Sequence, residues 1–94
     1  MSKVVLSGYI SVPESDLLPV KAALPEHIRL TRAESGYLVF TVTECPTKFT
    51  RLEVYEEFAD EAAFRYHQER VTASPWSTYA KSVERHFQIE GLND

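Results

Sequence analysis

The chain alternates between two hydrophobic periods. Val4–Val12 runs at a period of two, with Leu6, Ile10 and Val12 on one side and Val5, Tyr9 and two serines on the other, the pattern of a strand. Glu14, Ser15 and Asp16 then open a segment in which Leu17, Val20, Leu24, Ile28 and Thr31 recur at helical spacing. Pro19 falls in its first turn, where a missing N–H is not needed. Pro25 falls in its interior, where it removes a hydrogen bond and should kink or split the helix. Ser35–Gly36 reads as the stop. Tyr37–Glu44 alternates again, with Leu38, Phe40 and Val42 on one face, and Cys45–Pro46 ends it. After a turn at 46–50, Arg51–Phe58 forms a third strand with Leu52, Val54 and Phe58 inward. Asp60 is an N-cap with Glu61 in the first turn, and Ala63, Phe64, His67 and Val71 share one face of the helix that follows. Ser74–Pro75 is a second start signal, for a short helix carrying Trp76, Tyr79 and Ala80. Ser82–Glu90 is the last strand, with Val83, Phe87 and Ile89 in phase.

The element order is therefore β-α-β-β-α-β, the α+β ferredoxin-like pattern. Right-handed crossovers place both helices on one face of a four-stranded antiparallel sheet, in the order 4-1-3-2. The other face would carry Val5, Tyr9, Tyr37, Val39 and Tyr55 among Ser7, Thr41, Glu53, Glu57 and His86. Three tyrosines and two valines make a poor fully solvated face and predict a two-fold homodimer through the sheet.

Composition narrows the function classes. Ninety-four residues make one domain, 1–94, which leaves no room for a substrate cleft between two domains. Ten basic and 14 acidic side chains give a net charge of −4, which argues against an electrostatic nucleic-acid binder. No apolar run reaches membrane-span length, and Val4–Val12 lacks the continuous apolar core of a signal peptide, so a cytoplasmic protein without a membrane partner is expected. The single cysteine, Cys45, excludes an internal disulfide and a multi-cysteine metal site. His27, His67 and His86 have no metal-ligand spacing, and no motif for a flavin, nicotinamide or phosphate is present, so no cofactor or metal is expected.

Three groups of residues could carry chemistry. His67 lies on the apolar face of its helix between Phe64 and Val71; it is either a satisfied core histidine or a general base in an apolar pocket. Glu56 and Arg85 have the parity of inward-facing residues on the strands that flank the first one, with Gly8 between them. They read as an ion pair closing over a residue without a side chain, or as the polar floor of a pocket that Gly8 opens. Trp76 and Tyr79 on the short helix are core or lid, or they stack on a flat ligand, with Phe40 and Phe64 adding apolar wall.

Thr31-Arg32-Ala33-Glu34-Ser35-Gly36, Tyr55-Glu56-Glu57-Phe58-Ala59-Asp60, Ala63-Phe64 followed by His67, and Ser74-Pro75-Trp76 resemble the antibiotic biosynthesis monooxygenase (ABM) family over nearly the whole chain. The resemblance implies a dimeric α+β barrel and a cofactor-independent monooxygenase acting on a small aromatic, quinol-like or polyketide-like molecule. It casts His67 as the base, Arg85 or Tyr79 as polar partner and Trp76 as stacking wall. The haem-degrading branch of the superfamily is similar in fold but has an asparagine in the first strand and a ligating histidine on the last helix. Here those positions fall at Gly8 and near Tyr79 or Ala80. A non-catalytic dimer that binds a small ligand is the alternative from outside enzymology.

Overall fold

The computed structural model describes residues 3–92. Strand β1 (Val4–Ser11) leads through one 3-10 turn (Glu14–Asp16) into α1 (Leu17–Arg32). The hairpin β2 (Tyr37–Glu44) and β3 (Arg51–Phe58) follows, then α2 (Glu61–Ala73), α3 (Pro75–Tyr79) and β4 (Glu84–Glu90). All pairings are antiparallel and the strand order is β2-β3-β1-β4, the ferredoxin-like α+β arrangement with the helices on one face. The core between sheet and helices holds Val4, Leu6, Ile10 and Val12 from the first strand and its exit, Val20 from α1, Leu52, Val54 and Phe58 from β3, and Phe64, Trp76, Ala80 and Val83 from the second half.

Local chemistry fixes the element ends. The Asp60 side chain accepts from the Ala63 N–H at 2.8 Å and caps α2, while Pro75 occupies the first turn of α3. Arg32, in the last turn of α1, donates twice to the Phe40 carbonyl, at 3.2 and 2.7 Å, and ties the helix to β2. Contrary to the sequence expectation, α1 is not split at Pro25. The proline is on the helix's exposed side, where water can meet the carbonyl left without a donor.

Three further expectations are corrected by the pairing. First, a register shift between Tyr37 and Val39 sets Tyr37 opposite Phe58, so Tyr37 packs against the core instead of joining the outer face, and Leu38 is left 49% exposed. Second, Glu56 is opposite Leu6, whereas Arg85 is opposite Ile10; Gly8 pairs with Val54 and Phe87. Glu56 and Arg85 thus stand in rows on either side of the glycine row and do not close over it. Third, Gly8 does not open a pocket. Its φ is +148°, and a Cβ there would lie 1.9 Å from the His86 carbonyl oxygen, so the missing side chain serves the close approach of β1 and β4.

Candidate functional site

Between the sheet and the helices lies a cavity of about 300 Å3. Its wall is aliphatic and aromatic, with Phe40 and Val54 from the sheet, Phe64 and Val71 from α2, and Trp76 from α3. Into this wall are set His27, Glu56, His67 and Arg85. Six of the eight residues singled out in the sequence therefore meet here: Phe40, Glu56, Phe64, His67, Trp76 and Arg85. Gly8 does not line the cavity, and Tyr79 points away from it, 47% exposed beside Asp16 and Lys81. Arg85 reaches the rim from an exposed position on the edge strand β4.

The centre of the polar cluster is His67, only 4% exposed. Its Nδ1 is 3.0 Å from Glu34 Oε2, and the same oxygen accepts from Arg70 Nε at 2.6 Å. Arg70 Nη2 also donates to Thr31 Oγ1 at 3.0 Å, and that hydroxyl donates to the His27 carbonyl at 2.9 Å. A carboxylate can only accept, so Nδ1 carries the proton of the neutral ring and Nε2 keeps the lone pair. Nε2 faces Glu56 Oε1 at 3.8 Å, too far for a direct hydrogen bond. The turn that delivers Glu34 is held against α2 by its small residues: a Cβ on Gly36 would lie 2.3 Å from the Ala63 Cβ.

The second polar wall is His27, which α1 presents on the stripe Val20, Leu24, His27 and Thr31. Its ring stacks on Trp76, with centroids 4.4 Å apart and planes 9° from parallel, and lies 6.3 Å from the His67 ring. Sequence reasoning placed Ile28 on this stripe and passed over His27. It also passed over Glu34 and Arg70 as chemical partners. The spacing i, i+4, i+7, i+11 from Val20 was the available signal for His27. Glu34, beyond the end of α1, had no periodic signal.

Burial governs the protonation of these groups. It pushes the Glu56 carboxyl up to about 8, with the nearby Glu34 charge adding to the effect. It lowers His27 to about 3, helped by His67 and Arg70. It also lowers His67 below the ordinary histidine value, the Glu34 contact opposing and Arg70 reinforcing the change. At neutral pH the cavity therefore holds a neutral carboxylic acid and two neutral imidazoles. His27 Nδ1, Glu34 Oε1 and Glu56 Oε1 are buried without a hydrogen-bond partner. Unpartnered buried polar atoms are costly, and the two that belong to cavity-lining residues, on His27 and Glu56, mark a place for a ligand's polar groups. Among the described residues no cluster of metal-ligating side chains occurs, and no helix is long and apolar enough to cross a membrane.

Fold and cavity together define a ferredoxin-like domain with an internal cavity into which ionisable side chains are set. The sequence profile of the antibiotic biosynthesis monooxygenase family matches residues 4–79, and the chain belongs to that family. No curated protein sequence matches it. Among solved structures it is similar to a proposed antibiotic biosynthesis monooxygenase from Nitrosomonas europaea, at 19% identity and a TM-score of 0.78, covering 96% of this chain and 88% of that one. It is also similar to MupZ from Pseudomonas fluorescens, at 18% identity and a TM-score of 0.79, covering 97% and 73% of the two chains. A proposed antibiotic biosynthesis monooxygenase from Deinococcus radiodurans shares 17% identity and a TM-score of 0.73, with 97% and 93% covered. At these identities the likeness establishes the fold. The matched family span ends before β4, so Arg85, Phe87 and Ile89 wall the cavity from outside it.

Proposed function

We propose that the protein is a cofactor-independent monooxygenase acting on a small aromatic, quinol-like or polyketide-like substrate, with His67 as general base. The observation that carries this reading is His67 itself: a neutral imidazole whose Nδ1 is held by Glu34 and whose Nε2 lone pair faces an apolar cavity. A cavity of about 300 Å3 is at the small end of the ligand-site range and suits a compact flat ligand. Nε2 removes an activated C–H or phenolic proton, and the substrate anion supplies the electrons for dioxygen. At an activated methylene the hydroperoxide formed loses water, so that one methylene group and one dioxygen become one ketone carbonyl and one water. Glu56 donates to the developing oxyanion, and Trp76, stacked with His27, forms a flat part of the wall.

The outer sheet face supports a second element of this proposal, a homodimer through that face. Val5, Tyr9, Val39 and Tyr55 point there, with Tyr55 38% exposed. Light scattering at micromolar concentration is expected to give twice the chain mass; a monomer would remove the dimer. For the activity, oxygen uptake is measured with a panel of anthrones, naphthoquinols and catechols. Wild type consumes oxygen with at least one of them, and His67→Ala, folded by circular dichroism, loses at least about a hundredfold in rate. Full activity in that variant would end the assignment. Saturable ligand binding without oxygen uptake would favour a binding dimer instead.

A further inference from the structure

We infer that Glu56 is the proton-donating partner of His67, and that the pair makes this cavity competent for a redox-neutral reaction: keto–enol tautomerisation of a small ketone whose acidic C–H beside the carbonyl is benzylic. The inference rests on the reading of His67 as base but needs no oxygen. It starts from the gap between the two side chains. Glu56 Oε1 is buried and unpartnered, and it stands 3.8 Å from His67 Nε2. The two atoms are too far apart to satisfy each other and close enough to act on adjoining atoms of one small group set alongside both. The carbon and oxygen ends of an H–C–C=O unit lie about 2.4 Å apart by ordinary bond lengths. Such a unit can set its C–H before Nε2 and its oxygen before Oε1 while its ring system rests on the apolar wall.

The bookkeeping of the step closes without a co-reactant. His67 Nε2 takes the proton, the C–H electron pair becomes the C=C bond, the carbonyl π pair moves to oxygen, and Glu56 gives its proton to that oxygen. The enol leaves behind an imidazolium and a carboxylate. The Nδ1–Glu34 contact stabilises the former, and return of the proton from His67 to Glu56 resets the pair. The other groups facing the pair do not short-circuit it. Arg70 is engaged by Glu34 and Thr31, and His27 on α1 stays neutral well below pH 6. Arg85 on β4 lines the rim in a different row of the sheet from Glu56. Among the described residues, His67 is the one basic side chain within ion-pair distance of Glu56. The acid is therefore kept neutral by its surroundings, which is the state a proton donor needs.

The test is hydrogen–deuterium exchange at C1 of 2-tetralone, followed by NMR in heavy water under argon. Wild type is expected to exceed the buffer rate at least tenfold. Its rate should fall on the acid side as His67 protonates and on the alkaline side with a midpoint near 8 as Glu56 ionises. Glu56→Gln keeps the shape and a donor but has no proton to give; it should lose at least tenfold and lose the alkaline limb. His67→Gln should fall to the buffer rate. Wild-type exchange no faster than buffer, or an E56Q profile that matches wild type with its alkaline limb intact, overturns the inference. The wild-type pH profile decides the matter even if a variant fails to fold. Oxygen uptake with the quinol panel is scored separately. Uptake without anaerobic exchange refutes the tautomerase and leaves the oxygenase; exchange without uptake supports the tautomerase and removes the oxygenase.

Discussion

Glu56 and Glu57 are neighbours on β3 and point to opposite faces of the sheet. Glu57, on the outer face, accepts from the Tyr55 hydroxyl and from Lys3 Nζ, the latter at 2.9 Å, and these contacts hold its carboxyl below the usual carboxylate range. The same face stacks Tyr9 on His86 and sets Arg51 3.6 Å over the Tyr9 ring. Glu56, on the inner face, has no hydrogen-bond donor at Oε1 and is driven to about 8 by burial. One residue of chain and the two-residue pleat separate a carboxylate satisfied at little cost from a carboxylic acid maintained against cost. A fold tolerates an unsatisfied buried group where the site uses it, and two of them, on Glu56 of the inner sheet face and His27 of α1, line one cavity.

The sharpest way to break this contrast is to place the same charge on both sides. Glu56→Lys should cost about 3 kcal/mol or more in urea unfolding, because it buries an amine beside His67 and His27. Glu57→Lys should leave the Tm within a few degrees of wild type. Equal effects would remove the distinction between the faces.

Next in size is Glu34→Ala, which takes the carboxylate partner from Arg70 and releases His67 Nδ1. A loss of about 2–4 kcal/mol is expected in the same assay. Loss of His67-dependent activity should accompany it as the ring tautomer becomes free to change.

The third prediction uses pH. Folded Glu56 holds its proton up to about 8, whereas an unfolded glutamate releases it near 4.5, so wild-type stability should fall as pH rises through that window and level off above it. Glu56→Gln removes this dependence, and its Tm relative to wild type should climb between pH 5 and 8. Glu57 has the opposite sign. Its depressed folded value adds stability above 4.5 that is lost as the solution becomes more acid, so the penalty of Glu57→Gln should shrink on acidification.

His27 tests the same contrast from the helix side. Lowered to about 3, it adds stability above 6.5 that is lost as pH falls toward 3, and His27→Phe should flatten part of the acid side of the Tm profile. An unchanged acid limb would show that His27 is not held neutral by burial.

The strands and helices were legible because each buries one face, and a period of two or 3.6 in apolar residues records which. What escaped has identifiable physical causes. The register shift at Leu38 inserts one residue without any change in residue type, so the alternation of β2 appeared unbroken and Tyr37 was assigned to the wrong side. Parity placed Glu56 and Arg85 inward, but parity is blind to which row a residue occupies. The pairing alone shows that Gly8 lies in the row between them. His27 and Ile28 compete for one position on the inner stripe of α1, and preferring the aliphatic residue hid the histidine. Glu34 joins His67 across 33 residues of sequence, and Arg70 joins Thr31 across 39. Contacts of that separation are set by how α2 docks, which no local pattern encodes.

Trp76 is the chain's single tryptophan, and it lies on the cavity wall with its indole stacked on His27. The fluorescence of the protein therefore comes from the site itself. Its intensity is expected to respond to protonation of the stacked imidazole, its emission wavelength to a ligand entering the cavity, and its anisotropy to docking of α3. A single fluorophore thus monitors titration, occupancy and assembly of the same pocket, without a label or an engineered probe.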